Sequence, residues 1–214
     1  MVTSDVELRV SAAILAGGRA RRFGGANKAA LKIGSARIID RELAALSGVA
    51  DDIRIVARDS NGVNGLGVRV IADAIPDAGP LGGIYSALLD ARHDRVLVLA
   101  CDLPFVSREL LSRIASAGDD RDDGVMPRSS RGLEPLCAWY HRRAAAAIRA
   151  QIERGHLSIH TLVDVLRVRE LGPDALAPFA GDEAFENVNT PHDYARARGR
   201  VELNAKPFQD RITE

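Results

Sequence analysis

The sequence predicts an α/β fold of three layers, a mostly parallel sheet with helices on both faces. Three observations carry that expectation. Short, nearly continuous runs of aliphatic and β-branched residues alternate with segments whose apolar residues recur at helical spacing. No segment repeats, and no linker interrupts the alternation. A chain of 214 residues can bury one sizeable core. The expected organisation is one domain over 1–214, with a core of about 8–198 and a polar C-terminal tail at 199–214.

The elements follow in order. "LRVSAAIL" (8–15) is almost unbroken in apolar residues, as expected of a strand buried on both faces. From Ser35 to Leu46, Ile38, Ile39, Leu43 and Leu46 fall at helical spacing, with Ser35 at the N-cap position. "IRIVA" (53–57) and "VRVIA" (68–72) read as short strands. "GGIYSALLDA" (82–91) reads as a helix with glycines at its start, and "RVLVLA" (95–100) is the strongest strand signal. Ser107 caps a helix over 108–116, "EPLCAWY" (134–140) is a strand, and Arg142 to Arg154 is an alanine-rich helix. "FENVN" (185–189) leads into a last short helix after Pro191. In a sheet of this kind ligands bind beyond the C-terminal ends of the strands.

Composition narrows the function. Lys and Arg number 29, as do Asp and Glu, which argues against a general nucleic-acid or membrane-surface binder. Cys101 and Cys137, the only cysteines, form no C-x-x-C pair and read as small core residues of a reducing compartment. The N-terminal "MVTSDVELR" lacks a long apolar stretch, and the run after it is cut by Gly17 and Gly18 before it could span a bilayer. The expected location is the cytoplasm.

Charge is concentrated in one place. From Leu8 to Ile39 the chain carries Arg9, Arg19, Arg21, Arg22, Lys28, Lys32 and Arg37 without a single carboxylate. Most of them lie in "AILAGGRARRFGGANKAAL" (13–31), directly after the first strand, where this fold places its ligands. Glycines let backbone N–H groups approach phosphate oxygens, arginine adds bidentate contacts and lysine a point charge. The pattern matches neither a Walker A loop nor a G-x-G-x-x-G fingerprint. A second element is "LVLACDLPFV" (97–106), an aliphatic strand that ends in Asp102 and is stopped by Pro104. A carboxylate there is suited to hold Mg²⁺ against a nucleotide's phosphates. The plain alternatives are a solvated basic turn and an aspartate that only caps its own turn.

These residues carry a resemblance. "LAGGRARRFGGANK" resembles the L-A-G-G-x-x-x-R-M-G-x-x-K signature of the nucleotidyltransferases related to molybdenum cofactor guanylyltransferase. "GPLGGI" (79–84), "CDLPFV" (101–106), "EPLCAWYH" (134–141) and "NVNTPHDYA" (187–195) resemble later blocks of that family in the same order, so that the likeness reaches to about Arg198. The resemblance implies a single Rossmann-like α/β domain. It implies that Leu15, Ala16, Gly17, Gly18 and Arg19 wrap the nucleotide, with Arg22 near the phosphates and Lys28 on the reacting phosphate. Asp73 corresponds to a nucleotide-binding aspartate, Asp102 to the Mg²⁺ ligand, and Asn189 to an asparagine near metal and acceptor. The catalytic set is Lys28, Arg22 and Asp102. The reaction so implied takes GMP from GTP to the phosphate of molybdopterin (or the molybdenum cofactor) with release of pyrophosphate. Apo-molybdoenzymes or their chaperones are the implied recipients of the product.

Several positions depart from the family. Asn27 stands where relatives carry aspartate, Val56 replaces an asparagine used toward the nucleotide, and Leu157 and His160 replace arginines on the acceptor side. A cytidylyl or sugar-phosphate nucleotidyltransferase, and a nucleotide-binding module without transfer activity, stay open as alternatives. His156 and His160 are four apart and would share a helix face, yet no third ligand follows at metal-site spacing. Trp139 reads as core filler on a strand.

Overall fold

The computed structural model describes residues 9–17, 30–58 and 62–205. Its first half runs β1 (Val10–Leu15), β2 (Lys32–Ile33), β3 (Ala36–Arg37), α1 (Ile38–Leu46), β4 (Asp52–Val56), β5 (Arg69–Ile71), α2 (Gly79–Asp90) and β6 (Arg95–Ala100). The second half runs α3 (Arg108–Ser116), β7 (Gly124–Ser129), β8 (Gly132–Leu133), β9 (Cys137–His141), α4 (Ala144–Glu153), β10 (Val168–Leu171), α5 (Pro173–Leu176) and α6 (Pro191–Ala205). Two 3-10 turns, Ile159–Asp164 and Asp182–Phe185, fall between these elements.

The nearly unbroken apolar run at 10–15, interrupted only by Ser11, is explained by its place. β1 lies inside the sheet, parallel to β4 on one side and β6 on the other, so both of its faces are covered. The strand order is β5-β4-β1-β6-β9-β7-β10. β9 runs antiparallel to both β6 and β7, which makes the sheet mixed but mostly parallel. Alternate side chains then sort to opposite faces. Ala12, Ile14, Leu97 and Leu99 pack on Ile39 and Leu46 of α1 and on Leu110 and Ile114 of α3. Ala13, Val96 and Val98 pack on Leu81, Ile84 and Leu88 of α2 and on Ile148 of α4. The three layers expected from the sequence are present.

The local differences have physical reasons. Ser35 is not an N-cap: it sits in the tight β2–β3 hairpin after Gly34, whose φ of +65° turns the chain. α1 begins later, with Arg37 at its cap and Asp40 accepting from the Arg37 N–H at 3.2 Å. "EPLCAWY" becomes strand only at Cys137; the Glu134 N–H instead bonds to Pro127 O at 2.9 Å across the β7–β8 hairpin. β7 and β10 were not expected as strands. β7 contains Pro127, and β10 is an edge strand with Arg169 and Glu170 exposed, so neither shows an aliphatic run. α6 continues through Ala205.

Ser107 caps α3 as expected, its Oγ accepting from the Leu110 N–H at 3.1 Å. Trp139 is fully buried, donates Nε1–H to Ala117 O at 3.0 Å, and carries the Arg95 guanidinium 4.6 Å above its ring. Both cysteines are buried, and neither forms a disulfide. No described helix is long and apolar enough to cross a membrane.

Candidate active site

The parallel strands β1, β4, β5 and β6 all point to one edge of the sheet, and main-chain bonds align their ends. The Ala16 N–H donates to Val56 O at 2.8 Å, Ala57 N–H to Ile71 O at 2.9 Å, and Cys101 N–H to Leu15 O at 3.2 Å. Beyond these bonds opens a cleft of about 350 Å³. Leu15, Gly17 and Val56 form its floor, Gly79, Pro80 and Gly83 of α2 one wall, and Ala100, Cys101, Asp102 and Leu136 the other. Asp73 stands at the rim beyond β5.

The α2 wall is shaped by what it lacks. No carboxylate occupies the first turn of α2, so the positive end of its dipole is not neutralised by its own residues. A Cβ on Gly83 would come within 3.1 Å of the Leu15 side chain, so glycine there lets the helix lie close against β1. Ser86 joins the segment after Asp73 to the same helix: its Oγ accepts from the Ala74 N–H at 2.8 Å and donates to Gly82 O at 2.7 Å.

Two aspartates face the cleft from different environments. Burial raises the Asp73 carboxyl above the usual carboxylate range, and the nearby Arg58 guanidinium draws it partly back. Arg58 itself is paired with Asp77, across from it on the loop that precedes α2. Asp102 is buried, and its surroundings hold it from several sides. Its carbonyl accepts from the Val188 N–H at 2.9 Å, and its Oδ1 accepts from Asn187 Nδ2 at 3.0 Å. The next N–H, of Leu103, donates to Glu42 Oε1 at 3.1 Å.

Glu42 is fully buried on α1, and that burial pushes its carboxyl well above the ordinary range, with Asp102 adding to the shift. Its Oε2 has no hydrogen-bond partner among the described residues.

Of the residues singled out from sequence, Leu15, Gly17, Asp73 and Asp102 come together around this cleft. Ala16 takes part through its N–H, while its side chain packs on the opposite face. Gly18, Arg19, Arg22 and Lys28, with Asn27, lie outside the described residues. The Asn189 N–H donates to Asp193 Oδ2 at 3.1 Å, and the asparagine on Asp102 Oδ1 is Asn187.

His156 and His160 do not share a helix. α4 ends before Gly155, at φ +74°; His156 follows in irregular chain and His160 lies in a 3-10 turn. Both are exposed, as is Leu157. Among the described residues no three His, Cys, Asp or Glu side chains gather as a metal cluster.

Sequence reasoning missed Asn187, Glu42 and Arg58. A signal existed for two of them. Asn187 and Asn189 alternate in an extended "NVN", which puts them on one side, and Glu42 sits at helical spacing among Ile38, Ile39 and Leu46, on the apolar face.

On the far side of Asp102, the β7–β8 hairpin carries a second set of bonds. Ser129 Oγ donates to Glu134 Oε1 at 2.6 Å, and the Ser130 N–H donates to Asp182 Oδ1 at 3.0 Å. Arg131 Nη2 donates to Phe185 O and to Glu134 Oε1. These ties fasten the hairpin to the segment that brings Asn187 to Asp102.

Parallel strand ends, an uncapped helix N-terminus and a strand-end aspartate around one cleft define a nucleotide-binding α/β protein. Residues 12–170 match the MobA-like NTP transferase domain, and the chain belongs to that family of nucleotidyltransferases. It is 34% identical over 193 residues to a molybdenum cofactor guanylyltransferase of Desulfosudis oleivorans, covering 90% of this chain and 96% of that one. With a probable molybdenum cofactor guanylyltransferase of Pelotomaculum thermopropionicum it shares 36% identity over 197 residues, 91% and 95% of the two chains. The crystal structure of molybdopterin-guanine dinucleotide biosynthesis protein A from Archaeoglobus fulgidus superposes with a TM-score of 0.75 at 28% identity, covering 90% of this chain and 98% of that one.

Proposed function

We propose that the protein transfers GMP from GTP to the phosphate of molybdopterin, with Mg²⁺, releasing pyrophosphate. The observation that carries this reading is the meeting of Gly17, the N-terminus of α2 and Asp102 in one cleft. The names of the relatives support the choice of donor and acceptor.

The residues present suit Mg²⁺. It favours hard oxygen ligands and is usually held by one or two carboxylates together with substrate phosphates. Asp102 offers such a carboxylate at the inner end of the cleft, with Oδ1 already oriented by Asn187. Mg²⁺ bound there would neutralise charge on the triphosphate and its leaving group.

The chain's own residues do the rest. An acceptor oxygen attacks the α-phosphorus, the bond from that phosphorus to the oxygen bridging to the β-phosphate breaks, and pyrophosphate leaves with the electron pair. The acceptor is a phosphate, largely ionised at neutral pH, so no side chain need remove a proton from it. The α2 N-terminus, Arg19, Arg22 and Lys28 supply positive charge toward the phosphates, and Lys28 acts on the departing group. Gly17, Leu15 and Val56 leave a flat, mostly apolar floor for a base.

A nucleotide-by-acceptor matrix read out by pyrophosphate release tests the reading. GTP with molybdopterin should give the highest turnover. Higher turnover with CTP, or with a sugar phosphate in place of molybdopterin, would overturn it.

A further inference from the structure

The floor of the cleft offers a base almost nothing to bond. Leu15, Gly17, Val56, Pro80 and Gly83 bring no polar side-chain atom, so discrimination between bases falls to the rim. Arg58 stands close to that rim. β4 ends at Val56, which lines the cleft, Ala57 packs on the opposite face with α1 and α3, and Arg58 follows in the bend beyond the strand. From there its guanidinium pairs with Asp77 on the loop entering α2, while Asp73 lies within its electrostatic reach. The Arg58–Asp77 pair thus joins the chain just after β4 to the loop just before α2, with the cleft-lining Asp73 beside it.

The pair makes little sense as a stabilising device. Its side chains are 52% and 84% exposed, and exposed ion pairs contribute little. Yet Asp77 holds a φ of 60°, the only positive φ of a non-glycine among the described residues. Conformations of that kind cost free energy and concentrate at functional sites.

Resting on the GTP reading above, we infer that Arg58, held by Asp77 beside the cleft-lining Asp73, reads the O6 and N7 edge of guanine. That edge presents two acceptors side by side, which match the parallel N–H groups of a guanidinium. Adenine presents N7 beside an N6 amino donor, so one guanidinium N–H would face another donor. Cytosine presents its N4 amino group and lacks the second ring needed to reach the rim. The apolar Val56 leaves Arg58 as the side chain that must supply this contact.

The test is a cycle of protein and nucleotide changes, read by calorimetric binding in excess Mg²⁺ without acceptor. The ligands are GTP, 2-aminopurine riboside triphosphate, which lacks O6, and 7-deaza-GTP, which lacks N7. The wild type should bind each analogue about tenfold more weakly than GTP, the size of one lost charge-assisted hydrogen bond. Arg58→Ala should weaken GTP by about a hundredfold, the loss of both bonds, and each analogue by about tenfold, bringing all three ligands within about twofold of one another. Asp77→Asn should fall between the two, because it removes the partner and keeps the reader. Equal weakening of all three ligands by Arg58→Ala, or none, would overturn the inference while GTP remained the preferred nucleotide. Tighter wild-type binding of CTP than GTP would instead bring down the guanylyl reading itself.

Discussion

The two sides of the catalytic edge are built by different means. On the nucleotide side the walls are strand ends, a helix N-terminus and small side chains: Gly17, Gly79, Gly83 and Ala100. Its shape is set by main-chain bonds between neighbouring strands and by how closely α2 approaches β1. The opposite side, formed by the β7–β8 hairpin and the chain around Asn187, is tied by side chains over long separations. Ser130 to Asp182 spans 52 residues, Arg131 to Phe185 spans 54, and Asn187 to Asp102 spans 85. The difference shows what each surface can tolerate. A wall made of backbone and glycine changes shape with any added carbon, whereas a wall made of side-chain bonds can be altered without disturbing the sheet.

Asp102 stands where the two sides meet, and its loss should have the largest effect. Asp102→Asn should lower turnover by at least about 100-fold, several kcal/mol of transition-state stabilisation, with the fold retained. Steady-state rates over a Mg²⁺ titration check this; turnover within fivefold of the wild type, still Mg²⁺-dependent, would remove Asp102 from the metal site. Glu42 joins α1 to the Asp102 loop, so Glu42→Ala should cost about 2–4 kcal/mol by opening a cavity and stranding the Leu103 N–H. Glu42→Gln keeps the accepting oxygen and the side-chain volume, and should cost less than about 1 kcal/mol by urea unfolding. Equal losses in both variants would mean that the bond to Leu103 contributes nothing.

Arg131→Ala frees the hairpin from Phe185 O and should lower the melting temperature by about 2–4 °C, leaving GTP affinity unchanged. A change in GTP affinity instead would erase the distinction between the two sides. The smallest effect belongs to Gly17→Ala. Its new Cβ would meet Asp73 Oδ2 at 3.8 Å, an ordinary contact, so the melting temperature should stay within about 1 °C. GTP binding should weaken about threefold and the gap to CTP narrow, since the added methyl occupies cleft space meant for the larger base. Calorimetry with both triphosphates decides it. Unchanged GTP affinity would mean that the base does not lie on Gly17.

The same contrast governs what could be read from the chain alone. β1, β4, β6 and α2 were legible because each is a local pattern, an aliphatic run or a glycine-opened helix, whose physics lies within a dozen residues. Leu15, Gly17 and Asp102 were legible for the same reason, each marking the end of such a run. β7 and β10 were not, because Pro127, Arg169 and Glu170 break the apolar pattern, and their strand state depends on pairing with each other and with β9.

The sequence by itself determined the three-layer sheet, the edge at which the cleft opens, and the aspartates that face it. Only the tertiary structure decided that β9 runs against its neighbours, that Asn187 bonds to Asp102, and that the buried Glu42 accepts from the Leu103 N–H of the Asp102 loop. It also decided that Arg58 pairs with Asp77 beside Asp73. Periodicity and strand ends are properties of contiguous residues, and their free energy comes from a local choice of which face to bury. A hydrogen bond across 85 residues, or a carboxyl whose pKa is raised by burial, exists only after distant elements have packed.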